Sequence, residues 1–315
     1  MTSDADRRNL ILLVVLGLVW GSAYPVIRFG LLIGSSPLAF AAARYAFSAV
    51  AIAVLAAATR VARPSARGLL LSALIGIPIV AVYGALLYVG EQTTSGSLAA
   101  ILIGATPLLT ALFALPVLPG ESLGRAGYVG MAVGFLGVVV LVFPPPGVTL
   151  ASSVWGPVAV FGAGLSVAAG SVALRRAKPE GETLWGVSVQ FVIATVILTA
   201  ILPVAEPNPT LAWNTDGILA LAYLIALPSV VGYTLYFYLH HQVGPARANV
   251  VAYVNPVAAV SIGTLLFAEP FQIWELVGFA FVIIGLTILT RYGRPKPALA
   301  GTEAPGQEGA PAQVD

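Results

Sequence analysis

Few side chains in this sequence could do chemistry, and those few sit inside or at the edges of long apolar runs. Arg44 lies some seven residues into such a run, where an unpaired charge is expensive. It needs a partner, and Glu91 and Glu269, at the ends of two other runs, are the available carboxylates. A structural ion pair in the outer vestibule is the plainer expectation for this set. The functional alternative is that Arg44 attracts a carboxylate or phosphate on a bound solute. Trp20, Tyr24, Tyr83, Tyr233 and Tyr253 offer aromatic walls, and a positioned tyrosine hydroxyl adds a polar contact for a flat or amphipathic molecule. Tyr233, Phe237 and His240 share one helical face at i, i+4 and i+7, and Tyr253 lies four residues after Asn249. The plainer reading has tyrosines packing between helices or lying at the membrane interface, and that reading suits Tyr88 and Tyr238 better. Asn255 has up to four hydrogen bonds to satisfy, with a ligand or with a neighbouring helix. Pro25, Pro107 (after Thr106) and Pro256 each remove a helix hydrogen bond and free a carbonyl, for a solute or merely for a kink. Arg28, near the end of the first run, can reach water by snorkelling.

What is missing narrows the chemistry further. There is no cysteine, and the two histidines, His240 and His241, are adjacent. The acids scatter to the ends of runs, so no nucleophile–base pair or metal cluster is foreseen. No enzyme activity, cofactor or metal is expected. Nor is there a basic nucleic-acid patch, or the ring of charge typical of a channel filter. No Asp or Glu falls near the middle of a run, where a proton-coupling carboxylate usually sits. Facilitated diffusion or exchange is therefore at least as good an expectation as proton coupling.

The elements that must hold these residues follow from composition. Apolar residues make up 58% of the chain and charged residues 9%, against roughly 25% charged in a soluble domain. The sequence predicts ten membrane spans at residues 10–33, 37–58, 69–89, 97–118, 124–143, 154–174, 183–202, 217–240, 246–267 and 271–290. Each is close to the 20 residues that cross a bilayer as a helix, and in lipid these runs must be helices so that every backbone group is satisfied. The first run is too long for a signal-peptide core. All but two of the 15 lysines and arginines fall before span 1, after spans 2, 4, 6 and 8, or after span 10. By the positive-inside rule both termini are cytoplasmic. The exceptions are Arg28 and Arg44. Residues 291–315, rich in Pro, Gly, Ala and Glu, read as a disordered tail.

The two halves repeat. Ile75, Pro78, Tyr83, Tyr88 and Gln92 recur 150 residues later as Ile225, Pro228, Tyr233, Tyr238 and Gln242. Pro107 recurs as Pro256, and Glu121, Gly130 and Gly137 recur as Glu269, Gly278 and Gly285. The offset slips by one residue at each intervening loop, where length changes are tolerated. Each repeat has five spans, an odd number, so the second is inverted relative to the first. Such a repeat lets one midplane site open alternately to either side. The expected organisation is a cytoplasmic N-terminus (1–9), a first five-helix repeat (10–143), an extracytoplasmic linker (144–153), a second repeat (154–290) and the tail. Gly127, Gly130, Gly134 and Gly137 have the small-xxx-small spacing of close helix contacts, for internal packing or, less favoured, a dimer.

The chain resembles the drug/metabolite transporter superfamily, in particular its EamA-type branch. The resemblance rests on Trp20-Gly21-Ser22, on Arg44 after Pro37, and on Ala105-Thr106-Pro107 leading to Gly120-Glu121. In the second half it rests on Val254-Asn255-Pro256, Ala268-Glu269-Pro270 and the paired glycines of spans 5 and 10. It covers residues 10–290 and implies an all-α carrier in a bacterial inner membrane, often an exporter, whose partners are a small-molecule solute and the lipid bilayer. The cargo and the direction of transport are left open, and a monomer is favoured.

Overall fold

The computed structural model describes residues 4–119, 121–143, 154–177, 183–243 and 251–292. Among these, nine helices of at least 18 residues are apolar enough to cross a membrane, and a shorter one, Tyr253–Phe267, is the ninth span in chain order. The linker 144–153, most of the tail, and Gly120, Lys178, Arg247 and Asn249 lie outside the described residues. The last helix runs through Arg291 to Tyr292, two residues beyond its expected end.

Local sequence explains where the helices start and break. Ser65, Ser95, Thr183 and Asn214 cap span starts by accepting the backbone N–H three residues on, and Pro37 occupies the first turn of Pro37–Ala58, where its missing N–H costs nothing. Span 1 is broken at Ser22, into Asp4–Gly21 and Ala23–Leu32. Span 4 is broken at Ala105, into Gly96–Gly104 and Thr106–Val117. Both breaks fall just ahead of a proline, Pro25 and Pro107.

Spans 3 and 8 share a rarer feature. In each, a widened π-helical turn interrupts the α-helix, at Ile77–Val82 and Ile225–Val231, and each turn contains the repeat-related proline, Pro78 or Pro228. A proline cannot donate back into the helix, so the carbonyl four residues earlier loses its usual bond. In span 8 the hydroxyl of Ser229 donates to that carbonyl, Leu224 O, at 3.1 Å. Such π-turns inside α-helices are frequent at functional sites.

The packing obeys a pseudo-two-fold relation between the repeats. Spans 5 and 10 lie against each other, as do spans 2 and 7, and spans 4 and 9. Further contacts come in matched pairs: span 1 on span 9 with span 6 on span 4, span 2 on span 8 with span 7 on span 3, and span 1 on span 8 with span 6 on span 3. The 5–10 seam shows the symmetry at atomic scale. A methyl added at Gly130 would lie 2.8 Å from Gly285 O, and one at Gly137 would lie 2.6 Å from Gly278 O. Exchanging each glycine for its repeat partner turns one contact into the other. The glycines thus let two backbones touch within one chain, which is the internal packing expected.

Apolar side chains such as Val50, Val54, Leu136, Val139, Leu276 and Ile284 face outward. This apolar exterior suits lipid tails rather than water. The helix ends divide the molecule into a terminal face, where the first helix begins and the last one ends, and a far face that carries Glu91, Glu206 and Glu269.

Candidate functional site

The expected site residues gather between the repeats, though not in the expected pairings. Arg44, on span 2, and Tyr83, on span 3, are both half-buried. Around Arg44 stand the hydroxyls of Tyr24, Tyr45, Tyr83 and Tyr88, with Tyr233 facing Tyr24 and Tyr45. Tyr24 and Tyr83 lie close to each other. Spans 1, 2, 3 and 8 each contribute to this ring.

Among the described residues Arg44 forms no ion pair, which corrects the expected vestibule bridge. Its Nη1 donates to the Tyr88 hydroxyl at 3.2 Å, and its guanidinium carbon lies 5.8 Å from the Tyr45 ring centre. Its Nε is buried without a partner. Neither candidate carboxylate pairs with it: Glu269 is engaged elsewhere, and Glu91 lies beyond ion-pair distance. Glu269 accepts from Gly96 N at 3.1 Å, Ser97 N at 3.0 Å and Ser97 Oγ at 2.7 Å. A carboxylate at a helix N-terminus is favoured by the exposed N–H groups and the helix dipole, so Glu269 closes span 4 rather than neutralising Arg44. Glu91, just past the end of span 3, is 0% exposed, and both carboxyl oxygens lack a hydrogen-bond partner. Burial, reinforced by the Glu269 carboxylate and opposed by Arg28 and Arg44, pushes its pKa well above the usual carboxylate range. Arg28 does not simply snorkel. It donates to the backbone carbonyls of Glu91 and Gln92 at the end of span 3.

An aromatic strip leads away from the cation. Tyr45 stacks on Phe191 at 5.3 Å between ring centres, Phe191 meets Tyr233 edge-on at 5.6 Å, and Tyr233 meets Trp20 at 5.7 Å. Offset and edge-on pairs of this kind are the preferred aromatic geometries. Tyr88 continues the strip on the other side, against Tyr45 and Phe40. Of the two readings given for it, packing between helices and the membrane interface, Tyr88 takes the first, since it is 0% exposed. Tyr238, at 38% exposed, lies at the rim as expected.

The π-turns tie the repeats together reciprocally. Trp20 Nε1 on span 1 donates to Pro228 O at 3.0 Å, and Ser166 Oγ on span 6 donates to Pro78 O at 2.5 Å. The first helix of each repeat thus holds the proline carbonyl of the third helix of the other. Trp20 has its ring on the aromatic strip and its N–H on a moving-part candidate at once.

The remaining expected residues divide between packing and space. Asn255, with its amide nitrogen turned to them, donates to Gly17 O at 3.1 Å and Val251 O at 3.0 Å. It joins span 9 to span 1, the packing role weighed against ligand contact. Thr106 Oγ1 donates to Ile103 O at 2.6 Å across the break in span 4, and Pro107 follows it, both half-buried. Tyr253 is half-buried against the core. Tyr45, Tyr88 and Phe191 were not singled out from the sequence. The available signals were the position of Tyr45 beside Arg44 and the duplication of Tyr88.

Known proteins agree with this architecture. The model of the EamA-like transporter family matches residues 7–143 and again 154–291. An uncharacterized inner membrane transporter of Escherichia coli K12, YedA, is 31% identical over 293 residues, covering 91% of this chain and 93% of that protein. A probable terminal-alkyne amino-acid exporter of Streptantibioticus cattleyicolor is 29% identical over 285 residues, covering 89% and 92%. One solved crystal structure superposes with a TM-score of 0.62 at 18% identity, over 91% of this chain and 99% of the other, and so shares the fold.

Proposed function

The chain belongs to the EamA-like transporter family, and from that premise we propose that it exports a small amphipathic metabolite, such as an amino acid, by alternating access. It is a multi-pass membrane protein of the inner-membrane transporter kind. The proposal concerns what it moves and how.

One observation carries the reading: Arg44 and a cluster of tyrosines lie between two repeats that are joined through reciprocal bonds, Trp20 to Pro228 and Ser166 to Pro78. Two related arrangements of one inverted repeat differ only in which half adopts which shape, so exchanging them opens the space to the opposite side. A π-turn at a proline supplies a place where a helix can change its bend at small cost. The site matches what solute pockets generally need, apolar walls with a few placed polar groups. An amino acid fits this chemistry, and it is the solute in the name of one relative. The distribution of basic residues supports a cytoplasmic terminal face, and the internal use of the glycine seam supports a monomer.

The test is counterflow in liposomes carrying the purified protein. Vesicles preloaded with unlabelled leucine or phenylalanine should take up the labelled amino acid transiently and saturably. Uptake that rises linearly with concentration, with no stimulation from the far side, would identify a pore and reject alternating access.

A further inference from the structure

Arg44 has five N–H donors, and one hydrogen bond, to Tyr88, engages them. Among the described residues no carboxylate lies within ion-pair distance. Glu269 is committed to Gly96 and Ser97, and Arg28, the next cation, is held by backbone carbonyls. The groups that face Arg44 are the tyrosine hydroxyls of spans 1, 2 and 3, with Glu91 farther off. Hydroxyls can solvate a guanidinium but cannot neutralise it. A cation kept inside a membrane protein without a counter-charge is costly, and Nε carries that cost without any hydrogen bond at all. An anion arriving from outside the protein would meet both needs.

The anion's class follows from the surroundings. One guanidinium neutralises one negative charge, whereas a phosphate dianion would leave an uncompensated charge in the same low-dielectric space. The planar fork of arginine matches a carboxylate with two parallel bonds. From Arg44 the strip Tyr45, Phe191, Tyr233 and Trp20 runs across four spans, which suits an apolar or aromatic remainder.

We propose that Arg44 is the anion receptor of the central site and takes the carboxylate of a monocarboxylic acid whose apolar part lies along the Tyr45–Phe191–Tyr233–Trp20 strip. This rests on the transport reading for its purpose, but its test does not. Purified protein is melted with phenylacetate, phenylacetamide or phenyl phosphate, each at millimolar concentration, and flux is measured separately in liposomes. Phenylacetate should raise the Tm of the wild-type protein, and phenylacetamide, which lacks the charge, should not. Arg44→Gln should weaken phenylacetate binding about tenfold or more, the usual loss for a charge-assisted pair, and Arg44→Lys should restore part of it. Arg44→Met removes the unpaired cation, so it should melt no lower than wild type while losing the ligand shift. A structural role would instead lower the Tm.

No phenylacetate shift in wild type, an equal shift with the amide, or a shift retained in Arg44→Gln would each overturn the proposal. A larger shift with phenyl phosphate would overturn the carboxylate assignment. An Arg44-dependent shift without flux of any amino acid would leave the receptor standing and count against the transport reading alone.

Discussion

Glu269 and Glu121 occupy the same place in the two repeats, yet they do opposite things. Glu269, at the far face, is 8% exposed and accepts three hydrogen bonds from the start of span 4. Glu121, at the terminal face, meets Arg175 at 2.5 Å in a pair whose side chains are 42% and 53% exposed. The far face is also sewn elsewhere: Glu206 accepts from Leu38 N and Ala39 N, and Ser36 and Thr210 exchange backbone and hydroxyl bonds. Buried contacts between the repeats therefore close the far end around span 4, while the corresponding acid at the other end rests in water. Under the alternating access proposed above, a difference of this kind between equivalent residues distinguishes the two states, and these contacts are those of a state shut at the far face.

The comparison can be broken most forcefully at Glu269. Glu269→Ala leaves the Gly96 and Ser97 N–H groups buried without acceptors, which costs about 1–3 kcal/mol, and thermal unfolding in detergent should show the loss. The chain has no cysteine, so accessibility can be read without background. Ser97, 0% exposed, replaced by cysteine should resist a membrane-impermeant maleimide, and should react once Glu269→Ala is added. A Ser97→Cys protein that labels fully beside an intact Glu269 would remove the closed-end reading.

Glu91 sharpens the same point through pH. Its raised pKa means that the folded protein holds a proton the unfolded chain gives up. Stability from this group is thus complete below the ordinary carboxylate range and is lost as pH rises toward the folded pKa. Melting followed from about pH 4 to about pH 8 should fall more steeply for wild type than for Glu91→Gln. Equal slopes would show that Glu91 ionises freely.

The reciprocal bonds should respond alike. Trp20→Phe and Ser166→Ala each delete one bond to a proline carbonyl, worth about 0.5–1.5 kcal/mol, and counterflow should slow in both if each half-repeat moves in turn. A change confined to one of them would mean that the two π-turns are not equivalent. The smallest effect belongs to Glu121→Ala, since an exposed ion pair contributes about 0–1 kcal/mol. A loss as large as that of Glu269→Ala would erase the contrast between the two ends.

Much of this was legible in the chain itself. A 58% apolar composition with charge confined to run ends leaves helices in lipid as the only way to satisfy the backbone, and the duplicated Pro78/Pro228 and Glu121/Glu269 announce the repeat. Arg44, Tyr83, Tyr233 and Trp20 stood out as candidate site residues because polar and aromatic groups in such runs are few. Their partners were not. Charge counting paired Arg44 with Glu91 or Glu269, but a carboxylate near a helix start is drawn to backbone N–H groups. That competition is settled by where span 9 ends against span 4, a long-range packing fact. Tyr88 was left between helix packing and the membrane interface for a similar reason, since a tyrosine near a span end can face lipid headgroups or a buried arginine with the same sequence around it. Sequence by itself determined the number of helices, their repeat and the scarcity of polar groups, because those depend on local pattern. Which cation goes unpaired, which aromatics stack and which end is closed were decided only when ten helices met, because each depends on residues 40 to more than 200 positions apart.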